Sequence, residues 1–345
     1  MYLQNYYMQN TPLGYDKDEI IITNMNNNIR KSRDAFASQV KSFSGIEEVT
    51  YAEMLLSSQD QYMGWGRKYR DKDIQFQCLP VEPSFLKVMN VKISEGRDFR
   101  EEDKAKRYGT FVFNERARTE YGLEIGSLID SMEIVGFMPD VKFASFRTEV
   151  TPMAFFVWGT NNWGNQPNYA YIKVKAGSDL RGAMQHVKTT LQSFDPEYPF
   201  NVRFFDEVLN GLYEKERSLS SLITLFSLIA IFISVVGVFG LVVFDSEYRK
   251  KEIGIRKVLG STTEEIIVMF NKTYIRILCV CFVLGAPIAG YVVHRWLENF
   301  AYKTPMYWWV YLIAFAIIAV ITILTVTFQN WRAANENPVH SIKNE

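Results

Sequence analysis

The chain has 345 residues, and its 38 Lys and Arg balance 38 Asp and Glu. A neutral total excludes broad electrostatic attraction to nucleic acid or to acidic substrates. The near-zero mean hydropathy conceals a division, because residues 1 to about 217 are polar and mixed while most of the remainder is apolar.

Along the polar part, residues 19–24 (EIIITN) read as a strand, 29–43 as an amphipathic helix and 48–54 as a second strand. The same order returns far downstream. Residues 169–175 (YAYIKVK) alternate like a strand, Asp179 caps a helix to about Phe194, and 200–205 read as a strand. Two β-α-β units held this far apart predict a split α+β domain over 1–205, with a second, mainly β subdomain inserted at about 57–150. The insert is expected to hold a strand at 74–81, a helix at 83–89, a strand at 110–113 leading into a helix at 114–121, and a strand at 132–138. Gly96, Gly126 and Pro139 mark its turns, and 161–167 (NNWGNQP) reads as an exposed loop.

From Phe205 to Phe244 there is no proline, and Phe205, Val208, Leu209, Leu212, Tyr213 and Leu219 keep helical spacing. One continuous helix is expected here, with 206–218 as a stalk outside the membrane, read either as a rod that transmits movement or as a plain linker helix, and 219–244 as a span of about 26 uncharged residues, beyond the roughly 20 a bilayer requires. A second span is expected at 266–293, with Lys272 and Arg276 snorkelling near its end, and a third at 309–331. The segment 245–265 carries Arg249, Lys250, Lys251, Arg256 and Lys257, whereas the outer loop 294–308 carries only Arg295 and Lys303. The basic loop is therefore expected in the cytoplasm, the polar domain outside and the tail 332–345 inside. Trp296, Tyr302, Tyr307, Trp308 and Trp309 form an outer aromatic belt, with Trp331 at the inner end. A domain of this size on the outer side leads to the expectation of a further span upstream of Met1; the alternative is that the first span carries the domain across behind it.

Catalytic chemistry is not legible. There is no G-x-x-x-x-G-K-[ST] phosphate loop and no G-x-S-x-G nucleophile motif. His186, His294 and His340 stand apart and are read as surface or interfacial residues, Asp71 and Asp73 as solvated surface, and Cys78, Cys279 and Cys281 as no disulfide framework. The small residues Gly237, Gly240, Gly285 and Gly290, with Pro287 as a candidate kink, are expected to let helices pack closely. The remaining candidate is KKEIGIRKVLGS. Glu252 and Arg256 are a favourable helical pair, Ile253, Val258 and Leu259 leave apolar surface, Gly260 and Ser261 end the helix, and Thr262 or Thr263 with Glu265 begins the next. Physics alone leaves two readings open, a topology anchor on anionic lipid or a docking helix for a cytoplasmic protein.

The segment YRKKEIGIRKVLGSTTEEI (248–266) closely resembles the signature of FtsX-like permeases, the MacB-type membrane subunits of ABC transporters. VEPSFLKVMNVKISEGRDF (81–99), VFNERARTEYGL (112–123), EIVGFMPDVKFASFRTEVTP (133–152) and the tail WRAANENPVHSIKNE are similar as well. The resemblance implies a MacB-like periplasmic core domain between one span and three. It implies that Lys251, Glu252, Ile253, Gly254, Arg256, Lys257, Val258 and Gly260 lie on a coupling helix that contacts a cytoplasmic ABC ATPase subunit. ATP and Mg would reside in that separate subunit and no cofactor in this chain, which would not itself be an enzyme. A second permease copy or sister permease and a periplasmic adaptor are the further expected partners beside the bilayer. The implied function is mechanical export of a peptide, antibiotic or lipoprotein from the inner membrane; the alternative is a regulatory or sensory protein that controls a cell-wall hydrolase or reports antimicrobial peptides.

Overall fold

The computed structural model describes residues 3, 4, 6, 7, 11–57, 63–142, 149–161, 167–211, 213–249, 252, 254–256 and 259–334. The chain divides into two compact units: Tyr6–Lys215 with Phe300–Tyr302, and Met1–Asn5, Glu216–Asn299 and Lys303–Glu345.

In the larger unit, β1 (Ile20–Asn24), β2 (Ile46–Ala52), β10 (Tyr169–Val174) and β11 (Arg203–Phe204) form an antiparallel sheet in the order β11-β1-β10-β2. Both faces of this sheet are buried, which is why β1 reads as an unbroken apolar run. Ile21, Val49 and Ile172 on one face pack against Phe36, Val40, Val187 and Leu191. Those residues come from α2 (Arg33–Lys41) and α5 (Leu180–Phe194), whose cap is Asp179 accepting from the Gly182 N–H at 3.0 Å. The single helix expected at 29–43 is two, α1 (Asn27–Lys31) and α2. Ser32 leaves helical geometry between them at φ −116°, and its N–H bonds the carbonyls of Asn28 and Ile29.

The insert is a mixed seven-stranded sheet in the order β3-β4-β9-β6-β8-β5, with β7 on β8. Its elements are β3 (Met63–Tyr69), β4 (Lys72–Pro80), α3 (Phe85–Val88), β5 (Glu95–Gly96), a 3-10 turn (Glu101–Ala105), β6 (Thr110–Asn114), α4 (Glu115–Tyr121), β7 (Leu128–Ile129), β8 (Met132–Met138) and β9 (Met153–Val157). The sheet therefore runs past residue 150, where the insert was expected to end. Sequence patterning supplies neither β3, diluted by Gly64 and Gly66, nor β9, which is buried on both faces between β4 and β6. β3 turns into β4 through Arg70 and Asp71 at φ 45° and 59°, a two-residue hairpin of the left-handed kind without the usual glycine.

The two sheets share one core. Ile20, Ile22 and Tyr171 from the first face Leu79, Val112 and Phe155 from the second, with Phe85 of α3 and Phe205 between them. Phe85 stacks edge-on against Tyr171 with centroids 5.1 Å apart, and the Tyr171 hydroxyl accepts from the Leu56 N–H at 2.7 Å. The backbones are joined by an Ala52–Val81 bridge flanked by Glu53 N–H to Pro80 O and Glu82 N–H to Tyr51 O. On its other face the insert encloses Trp65, Phe76, Phe111, Phe156 and Trp158. Arg67–Asp130, Tyr69–Ser127 and Arg70–Glu124 contacts tie the edge strand β3 to the β7 region.

Where one continuous stalk helix was expected over 206–218, the described residues carry two helices, and Leu212 lies outside the described residues. α6 (Phe205–Gly211) and α7 (Glu214–Tyr248) are separate helices, with the Tyr213 N–H bonded to Asn210 O in a turn. Phe205, Val208 and Leu209, read as a stalk stripe, are core residues of the larger unit. Helical spacing cannot distinguish a rod from a short helix packed on a sheet.

The other unit holds three helices long and apolar enough to cross a membrane, over Ser218–Asp245, Thr263–Leu297 and Trp308–Trp331. The second is α8 (Thr263–Leu297), continuous through Pro287, and the third belongs to α9 (Trp308–Ala334). The glycines expected to let helices pack closely differ in their surroundings. A Cβ on Gly290 would meet the Tyr311 hydroxyl at 3.3 Å, whereas at Gly237, Gly240 and Gly285 it would meet nothing within 4 Å among the described residues.

Asp103 makes a pH-linked contact in the larger unit. Asp103, whose side chain is 1% exposed, receives both Arg97 guanidinium nitrogens at 2.8 Å and the Arg100 N–H at 2.8 Å. Burial pushes its carboxyl up, but the Arg97 and backbone hydrogen bonds outweigh it and hold the group below the usual carboxylate range. Stability from a depressed carboxylate is present above its unfolded pKa and lost as pH falls through the folded one. Asp103→Asn is expected to cost about 2 kcal/mol at pH 7, read by urea unfolding of the chain in detergent, with the gap to the parent closing as pH falls below the ordinary carboxylate range.

Candidate docking loop

The segment between α7 and α8 is built from helix ends. As α7 finishes, Arg249 reaches back to Asp245 at 3.0 Å, and its guanidinium lies 5.9 Å from the ring of Phe270 on α8. Phe270 and Ile266 are buried with Val242 of α7 and Val326 of α9, so the loop springs from a packed apolar plug.

Residues 252 and 254–256 are helical. The Glu252–Arg256 pair forms at 2.7 Å, one turn apart, and Arg256 also donates to the Met269 sulfur on α8. Gly254 is buried, whereas Ile255 (56%) and Leu259 (80%) are exposed. The Leu259 N–H bonds Ile255 O at 3.0 Å, which sets the two side chains one turn apart. Lys251, Ile253, Lys257 and Val258, the other residues expected here, lie outside the described residues.

The stop signal takes a definite geometry. Gly260 adopts φ +98° and the Ser261 N–H bonds Arg256 O at 2.9 Å, the six-to-one closure that caps a helix through a left-handed residue. Thr262 then opens α8 with a reciprocal cap: its hydroxyl accepts from the Glu265 N–H, and its own N–H donates to the Glu265 carboxylate. Of the two threonines considered, Thr262 is the cap. The segment thus presents an apolar pair outward from a backbone tied down by two arginines. Asp245, Met269 and Phe270, which hold those arginines, were not singled out from sequence; only the four-residue spacing of Asp245 and Arg249 could have pointed to them.

The other candidates lie elsewhere. His186 stacks on Phe43 with centroids 5.5 Å apart and contacts Gln39 O, and His294 sits 3.5 Å from Glu298. His340 lies outside the described residues, as do 162–166 of the loop expected at 161–167. Asp71 forms the hairpin turn and Asp73 pairs in register with Lys68. Cys78 is buried, whereas Cys279 and Cys281 are exposed on α8.

Among known proteins, residues 6–190 match the model of the MacB-like periplasmic core domain and residues 224–338 that of the FtsX-like permease C-terminal region. The macrolide export ATP-binding/permease protein MacB of Chromobacterium violaceum is 23% identical over 230 residues, and its namesake from Escherichia coli K12 is 23% identical over 233. Both alignments cover 64% of this chain and 35% of the relative, so the chain spans about a third of the length of those proteins. Among solved structures, the periplasmic region of MacB from Actinobacillus actinomycetemcomitans aligns at 13% identity and TM-score 0.42, covering 58% of this chain and 95% of that one. The extracellular domain of the transporter YknZ from Gram-positive bacteria aligns at 11% identity and TM-score 0.39, covering 53% and 99%.

Among the described residues no atom lies within 4 Å of a Cβ at Gly260, and the constraint they show is the backbone angle. Gly260→Val is expected to strain the helix stop by about 1–2 kcal/mol. The measurement is amide hydrogen exchange at Leu259 and Ser261, which is expected to accelerate while α9 stays protected.

Proposed function

Because the chain belongs to the MacB-type, FtsX-like permease family, we propose that it is an ABC transporter permease subunit whose loop between α7 and α8 is gripped by a cytoplasmic ATPase. The family and the three apolar helices make it an inner-membrane protein with a periplasmic domain. The proposed cargo is a peptide, antibiotic or lipoprotein, moved outward by displacement of the periplasmic domain.

The observation that carries this reading is the pairing of exposed Ile255 and Leu259 with the anchors of Arg256 on Met269 and Arg249 beside Phe270. Apolar side chains held outward on a short capped helix suit a protein groove. The arginine contacts give a push on that helix a route into α8. On the other side of α7, the chain continues from α6, whose Phe205 is locked in the shared core of the larger unit. Movement of α7 would therefore act on the periplasmic domain through α6 rather than through a rigid stalk.

No phosphate loop lies within these residues, so ATP and Mg are assigned to the ATPase outside them, and a second permease copy or sister permease would complete the pair. The excess of Lys and Arg in 245–265 supports a cytoplasmic loop and tail.

Replacing Glu252 and Arg256 together, or Ile255→Asp alone, is expected to weaken co-purification of the ATPase about tenfold, the loss of roughly one well-placed contact, while membrane insertion is unchanged. Undiminished recovery of the ATPase with both variants would refute the docking assignment. In intact cells, Ile255→Cys is expected to resist a membrane-impermeant thiol reagent and to react once the membrane is opened; labelling from outside would reverse the topology.

A further inference from the structure

Arg249, Arg256 and Arg295 each have a carboxylate partner, Asp245, Glu252 and Glu298. Lys272 and Arg276 on α8 differ. Both are exposed, and neither has an ion pair or hydrogen bond among the described residues. They stand four residues apart, on one face of the helix.

Their depth makes this unusual. Phe270 packs with Val242 and Val326, which lie just inside the charged or aromatic ends of the other two spans, Asp245 and Trp331. The level of Phe270 thus marks one edge of the apolar slab. At 1.5 Å per residue, Lys272 lies about 3 Å and Arg276 about 9 Å beyond it, towards the membrane interior. From Ile277 to Val293 there is no further charge. A cation at such depth is costly unless its head finds a counter-charge; Asp245 is engaged by Arg249 and Glu265 by the Thr262 cap, and Glu264 stands two turns before Lys272, in the first turn of α8.

The geometry points to an anionic phospholipid, its phosphate held between Lys272 and Arg276. One acyl chain lies along the exposed Val280 and Leu284, which continue the same helical stripe one and two turns further in. Both long side chains can reach back towards the headgroup level, where an anionic phosphate supplies the counter-charge. The assignment requires only that α8 spans the bilayer and is independent of the ATPase reading.

The test is native mass spectrometry of the full chain in neutral detergent, titrated with dioleoylphosphatidylglycerol or dioleoylphosphatidylcholine. At about a factor of five per cation near an anionic charge, the parent is expected to retain phosphatidylglycerol roughly twenty-five-fold better than phosphatidylcholine. Lys272→Gln with Arg276→Gln is expected to abolish that preference, and the exchange Lys272→Arg with Arg276→Lys to keep it. Equal retention of the two lipids by the parent overturns the proposal without recourse to any variant. An undiminished preference in the double glutamine variant overturns the location, and displacement of the lipid by inorganic phosphate at matched concentration overturns the choice of a lipid over a free anion.

Discussion

The apolar layer between the two sheets, where Ile20, Ile22 and Tyr171 meet Leu79, Val112 and Phe155, is the constraint on which the larger unit depends. Neither sheet can bury that face alone, since fully covering one such side chain is worth about 1.5–3 kcal/mol and leaving the face open forfeits all of them. The insert is therefore not an appendage on a finished domain. The bridge from Ala52 to Val81 and the ion pair of Glu82 with Arg33 cross the same seam, so backbone, core and charge all hold the two sheets in one register.

That layer also decides how the chain leaves for the membrane. Phe205 lies in contact with Tyr15 and Tyr171, and α6 is consequently a core element. The helical unit has the opposite relation to its surroundings. Its three long helices expose Leu222, Phe232, Leu284 and Leu324 over their length, as expected when hydrocarbon is the solvent and lipid tails are as apolar as leucine. Burial is confined to places such as the plug of Val242, Ile266, Phe270 and Val326, directly beneath the loop that the two arginines tie to α8.

Much of the architecture was legible because its signals are local. The cap at Asp179, the stop at Gly260, the restart at Thr262 and the uncharged run after Leu219 each state their consequence within a few residues. Legibility ended where meaning depends on distant neighbours. β9 is a plain apolar run until β4 and β6 flank it, and β3 contains two glycines that count against a strand until β4 pairs with it. Gly237 and Gly285 resemble packing glycines, yet whether a small residue is covered depends on what lies opposite. For the loop, Glu252–Arg256 followed from spacing, whereas the Met269 and Phe270 anchors did not, because they lie a helix away.

The sequence by itself determined the division into a mixed α+β unit and three apolar helices, the ends of many elements and the clustering of Lys and Arg between the first two spans, since composition, periodicity and capping act over one or two turns. The tertiary structure alone decided that the two sheets share a core, that α6 belongs to it and that Ile255 and Leu259 face outward. Those outcomes depend on which surfaces meet, and the free energy of burial belongs to the pair of surfaces and not to either stretch of chain.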